Sequence, residues 1–370
     1  MDIARLRSSF ARIAMHGDEV PLHFYSDLFL KHPETRPMFP VSMQAQRAHL
    51  VDALATIIAS VDKVDDLALF LRDLGRGHRK FGTLAEHYEA VGQSLLATFA
   101  HFCGEAWDAD LEADWRGAYE LIAGVMTSAA HEDEQHHPAY WLGTVVGRER
   151  RTFDITILTV RTEPRLEYLP GQSVAIESPA RPRLWRYYSM ANAPRPDGSL
   201  EFHVRLVDGG AVSMALTTVT DVGAELRLGP PTGVMRLDTA SGRDILMVGG
   251  STGLAPLKAM LEQAAALAQP PGVHLFFGVR HPDGLYDVTS LERLAAQHPW
   301  LTVVPVVNEG RFPGQIGALA DIVMCHGSWS GCDAYVAGPT GLVKDCTARL
   351  AAAGMAVSQI HVEDFGWSEP

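Results

Sequence analysis

Three groups of residues have types and spacing that could do chemistry. His78 shares one helical face with Leu67, Phe70, Leu71, Leu74 and Phe81. A neutral imidazole held on an apolar face is a good axial ligand for iron. Arg186, Tyr187, Tyr188 and Ser189 stand together where apolar and polar residues alternate. Arginine can fork onto a pyrophosphate, and tyrosine and serine can cover and hydrogen-bond a flavin ring. Gly249, Gly250, Ser251, Thr252, Gly253, Leu254, Ala255 and Pro256 follow an apolar run and open a helical one. Glycines there let the backbone approach a phosphate, and a helix start offers it unpaired N–H groups.

Weaker candidates lie nearby. Gly209, Gly210, Ala211, Val212 and Ser213 follow an alternating run and could form a second phosphate contact. Gly338 and Pro339 follow the fourth of four short apolar runs, at the position where parallel sheets place ligands. Glu363, Asp364, Phe365 and Gly366 lie close to the C-terminus. In the first third, Phe39 between Pro37 and Pro40 could wedge a planar ring, and Phe24, Tyr25, Gln46 and Leu50 come from other helical stretches.

The elements that must position these residues follow from periodicity. Residues 1–137 carry apolar stripes at three- and four-residue steps, among them Ala53, Leu54, Ile57, Ile58 and Val61, then Tyr88, Val91, Leu95, Phe99 and Phe102, then Trp115 to Ala129. Helices without strands predict an all-α domain. The run from His131 to Pro138 reads as a solvated linker. Residues 138–240 switch to a period of two. Phe153, Ile155 and Ile157 alternate with polar neighbours, and Leu200, Phe202, Val204 and Leu206 alternate with Glu201, His203 and Arg205. With Pro/Gly turns between the runs, this predicts a small antiparallel β-barrel. Residues 241–370 alternate apolar runs (245–248, 273–279, 301–307, 334–337) with helical stretches, which predicts a Rossmann-like α/β sheet.

Composition bounds the function. The formal net charge of -13 and the lack of a long basic run speak against nucleic acid and anionic membranes as partners. No apolar run is long enough to span a bilayer, and the first residues lack the pattern of a signal peptide, so a cytoplasmic protein without an integral membrane segment is expected. Cys103, Cys325, Cys332 and Cys346 form no CxxC pair, which fits reduced thiols and excludes a closely spaced iron–sulfur cluster motif.

Taken in order, the motifs of residues 140–370 resemble the ferredoxin–NADP reductase superfamily. The resemblance implies an FAD barrel and an NAD(P)H domain. Arg186, Tyr188 and Ser189 would be FAD contacts, Gly249 to Pro256 nicotinamide-nucleotide contacts, and Phe365 a neighbour of the flavin or nicotinamide ring. Arg280, after the second parallel strand, could read a 2′-phosphate, but Asp283 and Asp287 nearby would repel it, which tilts the reading toward NADH over NADPH.

From about Phe24 to Tyr119 the chain resembles the globin domain of bacterial flavohaemoglobins, the nitric oxide dioxygenases, and the reductase follows as in that family. The resemblance implies haem b with His78 as proximal iron ligand and Phe39 stacked on the ring. Tyr25, Gln46 and Leu50 would line the distal side, and Tyr88 would contact the proximal histidine. The implied activity is NAD(P)H-driven, FAD-mediated reduction of haem iron and O2-dependent oxidation of nitric oxide to nitrate by a monomer or weak dimer. Two departures stand out. The family's glutamate on the last globin helix falls at Ala130, and the segment between Phe39 and Gln46 is short. Ala130 supports one alternative, a reductase of another oxidant, such as an organic peroxide or a quinone; a second, non-enzymatic alternative is an O2- or nitric-oxide-binding sensor that reduces its own iron.

Overall fold

A computed structural model describes residues 1–366. These form two compact units, Met1–Tyr140 and the described chain from Trp141 on.

The first unit is helical: α1 (Ile3–Ala14), α2 (Glu19–Lys31), α3 (Gln44–Ser60), α4 (Val64–His78), α5 (Ala85–Cys103) and α6 (Ala109–Glu134). Capping residues fix the entries. Asp2 accepts from the Arg5 N–H at the start of α1, and Asp108 accepts from the Leu111 N–H at the start of α6. The prolines around Phe39 replace an α-helix with a 3-10 segment, Pro33–Met38, which leaves Phe39 extended. The helix α4 ends at His78, passes through a 3-10 turn at Arg79–Phe81, and stops at Gly82, whose φ of 75° needs glycine. Leu6, Ile13, Phe24, Leu28, Phe99 and Trp115 form the core.

The second unit joins two sheets. Strands β1 (Trp141–Arg150), β2 (Ile155–Glu163), β3 (Ser173–Glu177), β4 (Trp185–Ser189), β5 (Ser199–Arg205) and β6 (Glu225–Leu228) pair antiparallel in the order β4-β3-β6-β1-β2-β5. A bridge between Met190 and Phe202 brings the two edges together and nearly closes the barrel. A one-turn helix, α7 (Ala211–Met214), follows β5. The parallel sheet has the order β10-β9-β8-β7-β11-β12. It comprises β7 (Ile245–Gly250), β8 (Val273–Val279), β9 (Leu301–Val307), β10 (Gln315–Ile316), β11 (Asp333–Gly338) and β12 (Ile360–Asp364). Between them run α8 (Leu254–Ala265), α9 (Val288–Gln297), α10 (Leu319–His326) and α11 (Thr340–Ala352). None of the helices among the described residues is long and apolar enough to cross a membrane.

Three expectations change. Phe153 is not the first inward residue of a strand; it is 73% exposed at the tip of a turn, because the Thr152 hydroxyl accepts from the Ile155 N–H and delays β2. His203 was expected to point outward with Glu201 and Arg205 but is buried, because the parallel-sheet half covers that side of β5. The run after His131 is not a purely solvated linker: α6 continues to Glu134, and Asp133 is held in an ion pair with Arg79.

Candidate functional site

In the helical unit the geometry centres on His78. Its Nδ1 lies 2.6 Å from the Leu74 carbonyl oxygen. A carbonyl only accepts, so Nδ1 carries the proton and the lone pair sits on Nε2. The residue is half-buried, and its ring is packed deeply enough that burial lowers its pKa, which keeps the imidazole neutral. One neutral imidazole with a fixed tautomer is the donor expected of an axial iron ligand. The helix α3 offers apolar side chains of the kind a large planar apolar group needs. Leu50, Ala53, Leu54, Ile57 and Ile58 on α3 are all half-buried, and no side chain of that helix is fully buried. Behind His78, α4 runs close against α6. A Cβ at Gly75 would lie 2.3 Å from the Met126 carbonyl oxygen, so only glycine allows that approach.

Tyr25 is buried in an aromatic group. Its ring meets Phe24, Phe29 and Phe39 at centroid distances of 4.8, 5.8 and 5.5 Å. Burial pushes its hydroxyl up to about 12, so it remains a neutral donor. Its hydroxyl donates to the Gln46 backbone carbonyl over a long 3.4 Å, and the Gln46 side chain also hydrogen-bonds to it. The expected residues Tyr25 and Phe39 are therefore in contact, and Gln46 meets Tyr25 through both its backbone carbonyl and its side chain. Tyr88 accepts a hydrogen bond from the Tyr119 hydroxyl at its own backbone carbonyl, and burial raises its phenol pKa. Ala130 leaves α6 without a carboxylate at that position, and Glu132 is engaged with Arg72, 2.6 Å away, on the surface.

In the second unit, Arg186 and Tyr188 share one face of β4 by strand alternation. The hydrogen bond described for Arg186 goes to the neighbouring Trp185 carbonyl, and no carboxylate pairs with its half-buried guanidinium among the described residues. An uncompensated, partly buried cation of this kind fits an anionic ligand group. Burial raises the Tyr188 phenol well above its ordinary pKa. The Ser189 hydroxyl donates to Glu363 Oε1 at 2.8 Å. Burial pushes the Glu363 carboxyl up to about 7, against the pull of Ser189, and its Oε2 has no partner among the described residues. Phe365 donates its N–H to the Gly338 carbonyl, 2.9 Å away.

The turn after β7 lies beside the end of β11. A Cβ at Gly253 would meet the Ala337 carbonyl oxygen at 2.1 Å, and one at Gly338 would lie 3.0 Å from the Gly250 carbonyl oxygen. Ser251 is held left-handed at φ 53°, a strain typical of ligand turns. The motifs at Gly249–Pro256, at Gly338 and Pro339, and at Phe365 thus converge on the carboxyl ends of adjacent parallel strands, where dinucleotides bind in α/β sheets. The segment Gly209–Ser213 fits less well as a phosphate contact. The Ser213 hydroxyl is used inside its own turn, donating to the Gly210 carbonyl and accepting from the Val207 N–H. Val212 is buried in the barrel core.

Sequence reasoning missed a charged network between the barrel and the parallel sheet. Buried His203 reaches the Tyr286 hydroxyl at 2.8 Å and Glu201 at 3.0 Å. Lys258 lies 2.8 Å from Glu201 and 2.9 Å from Asp287. Burial opposes the Lys258 charge, but both carboxylates outweigh it and raise its pKa. Asp287 is therefore committed inside the protein and does not face a ribose, contrary to the expectation that it repels a 2′-phosphate. Arg280 instead faces Glu309, 3.2 Å away.

Comparison with known proteins matches this division of labour. Residues 22–126 match the globin family, residues 143–237 the oxidoreductase FAD-binding domain, and residues 247–348 the oxidoreductase NAD-binding domain. A flavohemoprotein of Rhizobium meliloti is 27% identical over 96% of this chain and 94% of its own length. Over nearly its whole length the chain is similar to flavohaemoglobins. A flavohaemoglobin from Malassezia yamatoensis shares the fold, with a TM-score of 0.81 at 18% identity over 98% of both chains. The reductase part is also 34% identical to the ferredoxin–NAD(P)(+) reductase component of a naphthalene 1,2-dioxygenase/salicylate 5-hydroxylase system from Ralstonia, over 62% of this chain and 70% of that one. The fold is thus a globin domain, an antiparallel FAD barrel and a parallel NAD sheet, and the cofactors are haem, FAD and a nicotinamide nucleotide. The chain is an oxidoreductase that takes electrons from NAD(P)H toward haem.

Proposed function

We propose that this chain is a nitric oxide dioxygenase working in the cytoplasm, with domain limits at 1–137, 138–240 and 241–370. The overall reaction would consume two nitric oxide, two O2 and one NAD(P)H, and yield two nitrate, NAD(P)+ and a proton. When bound, the cofactors supply hydride acceptance, division of the electron pair into single electrons, and an iron able to take O2.

The protein's own residues do the rest. His78 would hold the haem iron through Nε2, its tautomer fixed by the Leu74 carbonyl. Phe39 and Leu50 bring apolar surface that excludes water. Tyr25 is neutral, and its O–H points along a long bond to the Gln46 carbonyl, so it would be available as a donor to a partly anionic ligand. Arg186 and Tyr188 would hold FAD, with the Ser189 hydroxyl and Glu363, hydrogen-bonded to each other, placed to help orient it. Gly249–Gly253 and Gly338 would receive the nicotinamide nucleotide. The observation that carries this reading is the buried Tyr25 donor in the same helical unit as a neutral, singly oriented imidazole.

Ala130 raised the alternative of peroxide reduction. The acceptor on His78 Nδ1 argues against it. A neutral carbonyl makes the imidazole less electron-donating than a carboxylate would, and O–O cleavage gains from strong donation. The test is NADH-dependent loss of nitric oxide in air by haem- and FAD-replete protein, followed with an electrode. No consumption would refute the proposal. Tyr25→Phe should speed O2 release by about ten-fold or more, the worth of one hydrogen bond to a charged acceptor. An unchanged off-rate in stopped-flow measurements would remove that role.

NADH would be preferred, because Glu309 both occupies Arg280 and repels a 2′-phosphate. Both side chains are exposed, so the effect is modest. Glu309→Gln should raise the NADPH-to-NADH ratio of kcat/KM by roughly two- to five-fold, the scale of a surface charge pair. A ratio that does not move would sink the assignment.

A further inference from the structure

The proximal side lacks the carboxylate that the family resemblance implies at position 130, yet the residue after His78 is clamped by another. Arg79 donates through Nη1 to Asp133 Oδ2, and both side chains are only 10% exposed. Arg79 Nη2 also donates to the His137 backbone carbonyl at 2.9 Å. Asp133 Oδ1 takes the His137 ring Nδ1 at 2.9 Å. Arg79 is thus tied twice to the C-terminal end of α6, 54 residues away in sequence. Buried pairs with this many hydrogen bonds hold one geometry, because a lost partner leaves a buried charge uncompensated.

The position of this clamp matters. His78 is the last residue of α4, and Arg79 begins the 3-10 turn. Without a tie, a helix end frays and its last side chains sample several orientations. Within α4, the imidazole is held only by the Leu74 carbonyl one turn earlier. That bond sets the tautomer but moves with the end of the helix. Gly75 fixes the helix body against Met126, one turn before His78. The Arg79–Asp133 pair fixes the backbone immediately after it. His78 therefore lies between two anchors on the same partner helix.

We propose that Arg79 and Asp133 are positioning residues for the proximal histidine, fixing the backbone from which its ring projects. The pair orients the imidazole through the main chain, where a carboxylate at position 130 would have acted through a hydrogen-bond relay. This inference rests on His78 being the axial ligand.

The test uses the full-length protein loaded with haem and FAD. Resonance Raman spectroscopy of the ferrous, ligand-free form reads the iron–histidine stretch, and redox titration reads the haem potential. Asp133→Ala should broaden and shift the iron–histidine band and change the haem potential, with NADH reduction of FAD intact. Asp133→Asn keeps the shape and one acceptor oxygen, so it should fold even where the alanine variant does not, and it should shift the same band by less. Arg79→Lys should restore part of the wild-type band relative to Arg79→Ala. If the wild type has the band and all folded variants keep its position, width and potential, the positioning role is overturned. If the wild type itself shows no iron–histidine band, the ligand assignment fails instead.

Discussion

Replacing His78 with alanine should turn a red protein yellow. The expected result is loss of the haem absorption bands from purified protein, while NADH still bleaches the flavin anaerobically. Other imidazoles of the helical unit have different work. His87 caps α5 by accepting from the Leu84 N–H, and His23 stacks on His101 and bonds to Thr98. Neither offers a free lone pair on the apolar side of α4. Loss of the ligand should therefore weaken haem binding by more than the roughly 10–100-fold typical of removing an outer-shell partner. The residues proposed to hold flavin and nicotinamide lie in a separate compact unit with its own cores, so their chemistry should survive. An absorption spectrum before and after anaerobic NADH reads both halves at once. Haem retained at the wild-type level in this variant would overturn the assignment of His78, and with it the proposed oxygen chemistry. Loss of flavin bleaching along with haem would instead indicate general misfolding.

The elements that could be read from the sequence are those set by local rules. The stripe through His78 marks α4 because helical periodicity repeats within a few residues, and the glycine turn after Val248 marks the nucleotide end of the sheet because close packing there admits no side chain. The elements that could not be read are made by charges that meet from distant parts of the chain. Ser189 and Glu363 are 174 residues apart, and neither signals the other. Glu363 stood in a visible motif, but its carboxyl becomes unusual only when β12 buries it against β4. His203 looked like an outward residue on an alternating strand, and the alternation is correct; what the pattern cannot reveal is that a second sheet covers the outer face. Asp133 sat in a run of charged residues that reads as solvated, and only the fold brings Arg79 to it. Sequence periodicity therefore locates the scaffold and the ligand-bearing turns, while long-range packing decides which charged groups are buried, paired and able to orient a ligand.

Arg186→Ala should cost the protein most of its FAD affinity. The guanidinium sits half-buried on β4 with only a neighbouring carbonyl as its described partner, and it shares a strand face with Tyr188, whose phenol is raised by burial. Two other partly buried arginines have carboxylates: Arg79 has Asp133 and Arg195 has Glu262. Arg186 is left for a ligand of opposite charge, and a pyrophosphate matches its planar fork. Hydrogen bonds to a charged group are worth about 1.5–3 kcal/mol, so FAD should bind roughly 10–150-fold more weakly. Arg186→Lys should recover only part of this, because an ammonium restores the charge without the two parallel donors. The measurement is FAD titration of apoprotein by fluorescence quenching, with haem absorbance as an internal control on folding. If Arg186→Ala binds FAD as tightly as the wild type, the pyrophosphate lies elsewhere, and the turn at Gly209–Ser213 becomes the place to look despite the internal use of its serine.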